Sequence, residues 1–293
     1  MSDAGNSNRI TRQYIDSLLI ETRYLDSVCP TAQYSLFGET FASPIMTAAL
    51  SHLDRFMFPG AALALSQGAK DAGCALWYGM AETTEIDALS STGARMIEII
   101  KPYAHREEIC RRIRHAEEKG LLAVGVDIDH SFGPEGGPDI VNGIEMRPLT
   151  SRELSDLCAS TRLPFVVKGI LSAWDADRAL SAGARGLLIS HHNNRIEYAL
   201  PPLAILPEIK KMAGDIPLFV DCEIQSGMDA FKALALGASG VCIGRPLMTA
   251  IKNGMAAGVT AYLNHAAGEL KKAMAFTGSP DLAHIDPGVI HRI

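Results

Sequence analysis

From residue 44 onward, short apolar runs alternate with longer amphipathic stretches. Residues 45–48, 75–78, 96–100, 121–128, 165–168, 186–190, 217–221 and 240–243 read as strands. The stretches between them have helical ends. Pro59 opens one helix that Gly73 closes, and Thr150-Ser151-Arg152-Glu153 supplies a capping box for another. A charged helix from His105 to Lys119 stops at Gly120, and a long helical region, Met248 to Thr277, follows the last strand. Strands that are apolar on both faces belong in a parallel sheet covered on both sides. Eight strand–helix units in about 235 residues predict an α/β fold, a (β/α)8 TIM barrel, rather than an open Rossmann sheet. The absence of G-x-G-x-x-G after the first strand agrees.

The first 43 residues read as a short N-terminal cap over the barrel bottom, with Tyr34 to Gly38 as a small hairpin. No linker divides residues 1–293, so one domain is expected. Residues 129–149, after the fourth strand, are polar and rich in Gly and Pro and read as a loop. A loop of that length inside a compact domain commonly carries function.

Composition narrows the partners. With 47% hydrophobic and 20% charged residues, the chain is globular and not a disordered tail. A net charge of −6 and no basic cluster argue against nucleic acid. No apolar run reaches the roughly 18 residues of a membrane span, so no membrane partner is expected. The polar opening segment has no apolar signal core, so secretion is not expected. The six cysteines form no CxxC and read as free thiols in a reducing, cytoplasmic setting. No metal site is expected.

In this fold, chemistry sits at the C-terminal ends of the strands. The fourth strand ends in Asp127, the fifth in Lys168, and the sixth in Ser190-His191-His192-Asn193-Asn194-Arg195. The seventh ends in Asp221-Cys222-Glu223 and the eighth in Gly244-Arg245. Charges at the ends of buried strands need partners, because an isolated buried charge is costly. Adjacent residues on a strand face opposite ways, so one of His191 and His192 faces the pocket as an acid/base group. Arg195 suits carboxylate or phosphate recognition. The loops after the last two strands form the usual phosphate site of such barrels. Glu223 is an oddity there: either it points away, or no phosphate binds.

The segments LPFVVKGILSAWDADRALSAGARGLLISHHNNR, LPPLAILPEI and PLFVDCEIQSGMDAFKALALGASGVCIGRPLM resemble the FMN-dependent α-hydroxy-acid oxidase and dehydrogenase family. The resemblance extends through LLAVGVDI, SPIMTAAL and AMAFTGSPDL to most of the chain. It implies an FMN-binding barrel, a small-molecule substrate and a homo-oligomer. By resemblance Lys168 stands near flavin N1 and O2, and Ser190 touches the flavin. Asp221, Gln225, Gly244 and Arg245 hold ribityl and phosphate. His192 matches the catalytic base with Asp127 as its carboxylate partner, and Arg195 matches an arginine that binds the substrate carboxylate. The implied chemistry is proton removal by His192 and delivery of a hydride equivalent to flavin N5.

The departures bear on the substrate. The family's strand-3 tyrosine falls at Ile100, which would line the substrate pocket, and its neighbouring flavin-binding glutamine at Glu98. The turn after the first strand, Pro-Thr-Ala in the family, is Ala49-Leu50-Ser51, with Ala49 and Ser51 beside the flavin. The strand-4 threonine is Gly125, and the Gly-Gly pair and arginine after strand 7 are Cys222-Glu223 and Gln225. The family's early tyrosine precedes this N-terminus or is absent, and a second carboxylate-binding arginine has no counterpart in the loop after strand 4. These changes point to a non-standard substrate. Two other readings compete: an FMN barrel with different chemistry such as isomerisation, and a non-catalytic relative with weak flavin binding.

Overall fold

The computed structural model describes residues 3–293. At its centre is an eight-stranded parallel sheet: β1 Ile45–Thr47, β2 Leu76–Gly79, β3 Met96–Ile100, β4 Ala123–Asp127, β5 Phe165–Ile170, β6 Gly186–Ile189, β7 Leu218–Val220 and β8 Gly240–Ile243. Each strand from β2 to β8 pairs with its sequence neighbours, and β1 lies against β8. The barrel closes between β1 and β2 through Thr47. Its hydroxyl accepts from Trp77 N at 2.8 Å and donates to Trp77 O at 3.0 Å, and a parallel bridge joins Leu50 to Tyr78. Eight helices follow the strands in turn: α1 Ala61–Asp71, α2 Thr83–Ser90, α3 Arg106–Glu118, α4 Ser151–Ala159, α5 Ala173–Ser181, α6 Pro202–Ala213, α7 Gly227–Ala235 and α8 Arg245–Phe276. The predicted capping box of α4 is present, with Thr150 and Glu153 bonded reciprocally. Helix α8 breaks at Gly254–Met255, where Met255 has φ 51°.

Side-chain alternation sorts the strands into two apolar layers. Met46, Trp77, Ile97, Ile99, Val166, Leu188, Phe219 and Cys242 fill the barrel interior. Ile45, Leu76, Met96, Ile100, Val124, Leu187 and Ile189 belong to the layer under the helices. Gly125 is a forced choice, because a Cβ there would lie 2.1 Å from Val166 O. No hydroxyl-bearing side chain fits at that point of β4.

The hairpin Tyr34–Leu36 with Glu39–Phe41 seals the interior, adding Tyr34, Leu36 and Phe41 to its apolar cluster. The helix Ser7–Asp16 does not belong to that cap. It crosses the opposite rim, where Thr11 Oγ1 bonds His191 Nε2 at 2.9 Å and Arg12 donates to Glu223 O and Asp229. Its polar side chains satisfy loop groups that an apolar plug would leave unpaired. The loop after β4 is more ordered than its composition predicts, with a 3-10 turn at Ile128–His130 and a small hairpin, Ile140–Val141 with Ile144–Glu145. Among the described residues no helix is long and apolar enough to cross a membrane.

Candidate active site

The charged strand ends converge as the barrel geometry requires. Asp127 and Lys168 are register partners on β4 and β5, and Lys168 Nζ lies 3.2 Å from Asp127 Oδ1. The other carboxylate oxygen accepts from Lys101, just past β3, at 2.6 Å. All three side chains are buried. Burial alone would raise the Asp127 pKa, but the two ammoniums and His192 hold it well below the usual carboxylate range. Lys168 is pushed up despite its burial, because Asp127 and Asp129 face it.

His192 stands over this cluster. Its Nδ1 is 2.7 Å from Asp129 Oδ1, 3.4 Å from Asp127 Oδ2 and 3.0 Å from Lys168 Nζ. The closest carboxylate is therefore Asp129 rather than Asp127, which is engaged mainly by the two lysines. Only the 3-10 turn after β4 brings Asp129 back over the strand end. With Nδ1–H given to Asp129, Nε2 is left with the lone pair, and among the described residues it has no hydrogen-bond partner. Burial and Lys168 act to lower the His192 pKa; Asp127 and Asp129 outweigh them, and the net shift is upward.

His191 turns the other way. Its Nδ1 accepts from Asn194 N at 3.2 Å and its Nε2 meets Thr11. Burial keeps it neutral by lowering its pKa. The turn is made by His192, Asn193 and Asn194, all at positive φ. Non-glycine residues pay conformational strain there, of order 1–3 kcal/mol each. The N-terminal helix holds the turn: Asn8 bonds Asn193 at 2.8 Å and Ser7 N bonds Asn194 Oδ1 at 2.6 Å. Ser190 Oγ accepts from His192 N.

Arg195 reaches back to the loop after β4. It pairs with Asp139 and donates to Phe132 O. Asp139 also holds His130 Nδ1 at 2.6 Å, and the His130 ring stands edge-on to His192 with centroids 4.8 Å apart. Burial, with Lys101 and His192 nearby, pushes His130 down to about 3, so it is neutral near pH 7. Asp127, Asp129 and His192 offer ligand-type atoms within 4.8 Å of one another, and the lysine ammoniums stand among the same oxygens as counter-charges.

Beside this cluster lies a cavity of about 510 Å³, lined by Ala49, Ser51, Lys168, His192, Asp221, Gln225, Gly244 and Arg245 among others. That is a normal size for a cofactor pocket. Its floor holds one buried cation, Lys168. The start of α8, Gly244-Arg245, is part of its lining, so the positive end of that helix and a guanidinium border the cavity. Asp221 accepts from the Cys222 thiol at 3.0 Å. Glu223 does not point away: its carboxylate binds Arg245 and accepts from Gln225 Nε2.

Two expected residues are elsewhere. Ile100 packs in the helix-facing layer, and Glu98 lies on the same side of β3, buried near Arg112 and Arg111, with its pKa raised to about 7 by burial. Neither lines the cavity. The side chain that enters the cluster from this strand end is Lys101. Sequence reasoning missed Lys101, Asp129, His130 and Asp139. The strand-end rule that found Lys168 also applies to Lys101, which directly follows the run Met96–Ile100. Asp129 and Asp139 carried no such signal, since both lie in an aperiodic loop.

The family model described as FMN-dependent dehydrogenase matches residues 1–151 and 140–292. Glycolate oxidase 1 of Zea mays is 28% identical over 289 residues, covering 86% of this chain and 78% of its own. The 2-hydroxyacid oxidase of Dictyostelium discoideum is 29% identical over 292 residues, covering 87% and 74%. Among solved structures, mandelate oxidase with (S)-2-phenylpropionate superposes with a TM-score of 0.88 at 28% identity, covering 99% of this chain and 92% of that one.

Proposed function

The chain belongs to the FMN-dependent dehydrogenase family and is an FMN-dependent oxidoreductase of the α-hydroxy-acid oxidase type; from that premise we propose that His192 is its general base and that its substrate is larger or less charged than glycolate or lactate. The residues present suit the cofactor. The cavity joins a buried lysine to a helix N-terminus bearing an arginine, a donor set for a flavin with an anionic tail. Lys168 would sit at the ring system and Gly244 and Arg245 at the tail. When bound, FMN supplies the two-electron acceptor.

The observation that carries the base assignment is the 2.7 Å contact from His192 Nδ1 to Asp129. It orients the ring, exposes Nε2 to a substrate proton, and places a carboxylate to stabilise the imidazolium that forms. Asp127, pinned between Lys101 and Lys168, adds negative charge behind the ring without leaving its place. On the substrate side, Arg195 is already paired with Asp139. A small free carboxylate must displace that partner and lacks a second arginine to bind. A substrate without a free carboxylate avoids both penalties, and one with more apolar contact surface offsets them by burying more area.

The same proposal includes a cytoplasmic homo-oligomer acting on a small molecule. It draws support from six free cysteines and from the exposed apolar side chains Tyr24, Leu25 and Val28 in one N-terminal segment.

Stopped-flow flavin reduction across a series running from glycolate and lactate to mandelate and mandelamide tests both halves. His192→Asn should slow reduction about 10²–10⁴-fold while FMN stays bound. His191→Asn should change it far less. A dead His191 variant beside a near-normal His192 variant would overturn the base assignment. Rapid bleaching by glycolate or lactate would overturn the substrate half.

A further inference from the structure

We infer that Glu223 is a built-in occupant of the phosphate seat, and that it sets how strongly this site distinguishes a phosphorylated flavin from an unphosphorylated one. The inference rests on the flavin reading above and concerns the part of the cavity lined by Glu223 and Arg245.

Three observations carry it. First, the Glu223 side chain is buried and faces the cavity, and its carboxylate binds the Arg245 guanidinium. Second, the second carboxylate oxygen accepts from Gln225 Nε2 at 2.7 Å, so the group is held from two sides. Third, the backbone supports this pose. Cys222 and Glu223 have φ 64° and 63°, and Glu223 O accepts from Arg12 Nη1 at 2.9 Å, which fixes the loop to the N-terminal helix.

A carboxylate and a phosphate ask for the same donors: a guanidinium fork and N–H groups at a helix start. Here one anion already takes Arg245 Nη2. An incoming phosphate at the start of α8 either displaces Glu223 or lies beside it as a like charge. Both lower affinity for the phosphorylated cofactor. An unphosphorylated flavin makes the ring and ribityl contacts and leaves the Glu223–Arg245 pair intact. The built-in carboxylate therefore narrows the preference for FMN over riboflavin. It also keeps the loop after β7 neutralised in the absence of cofactor.

The test is equilibrium binding of FMN and of riboflavin, read by quenching of flavin fluorescence, for the wild type, Glu223→Gln and Arg245→Gln. Glu223→Gln should bind FMN roughly ten- to a hundredfold more tightly, as expected for removing a like charge at short range in a partly buried site. Its riboflavin affinity should change little. Arg245→Gln should bring the two flavins to similar affinities. Inorganic phosphate supplies a second readout, which needs no flavin and which circular dichroism melting can follow. It should raise the melting temperature of Glu223→Gln and leave the wild type unchanged. Equal tightening of FMN and riboflavin, or an unchanged ratio with no phosphate response, would overturn the role of Glu223 while leaving the flavin reading intact. Failure of the wild type and both variants to bind either flavin would overturn both.

Discussion

Both ends of the barrel bury side chains, and they are held by different physics. At the bottom, Trp77 and Phe219 meet edge-on with centroids 5.0 Å apart, Phe37 approaches Phe219 at 6.5 Å, and Tyr34, Leu36 and Phe41 close the cluster. No charged side chain belongs to that buried cluster, and its stability comes from apolar area removed from water. At the top, Lys101, Asp127 and Lys168 are nearly inaccessible, and each charge is tolerated because an opposite charge lies within 3.2 Å. Five non-glycine residues at the ends of β6 and β7 (His192, Asn193, Asn194, Cys222 and Glu223) have positive φ. The top is thus organised by mutual satisfaction, with strain that the N-terminal helix holds in place. A well-packed bottom allows such a top, since the site itself adds little net stability.

The contrast makes three predictions, each directed at one end. The largest effect is expected at the bottom. Phe219→Ala should lower unfolding free energy by about 3–5 kcal/mol, as for truncation of a buried aromatic, in chemical denaturation. Flavin affinity, measured where the variant is still folded, should hold. A loss of flavin binding without loss of stability would mean that the two ends are not separable.

Next is the seam that fastens the top. Thr11→Val keeps the shape of the side chain and removes the hydroxyl that meets buried His191 Nε2. Leaving that ring nitrogen unsatisfied should cost about 1–3 kcal/mol. Because His191 precedes the turn that aims His192, flavin reduction should slow as well. Unchanged stability and rate would show that the N-terminal helix does not hold the rim.

The smallest effect is a displacement along the pH axis. The proposed base, His192, is competent only when neutral, so flavin reduction should rise with pH through its upward-shifted pKa. Asp129 is one of the two carboxylates that raise it. Asp129→Asn should move the ascending limb to lower pH and reduce the plateau rate, because the imidazolium loses its nearest counter-charge. A limb that stays in place, or moves to higher pH, would assign the pairing back to Asp127.

Much of this was legible in the chain itself. The rhythm of apolar runs predicts all eight barrel strands, because a parallel strand is buried on both faces and stands out as a continuous apolar run. The strand-end rule points to Asp127, Lys168, Arg195 and the pair His191-His192, since the fold exposes chemistry at one rim only, and the family resemblance singles out His192 of the pair. That same two-faced burial hides the direction of each side chain. Nothing in Met96–Ile100 says which alternate residues face the barrel axis, so Ile100 stands in the sequence where Lys101 stands in space. Tertiary structure also decided which carboxylate serves His192. Asp127 and Asp129 are two residues apart, and only the 3-10 turn at Ile128–His130 sets one against the lysines and the other against the ring. The pairing of Asp139 with Arg195, 56 residues on, and the reach of Ser7–Asp16 across the rim are likewise contacts between distant segments. Local periodicity records the burial of a residue and not its neighbour, and the neighbour exists only once the chain has closed on itself.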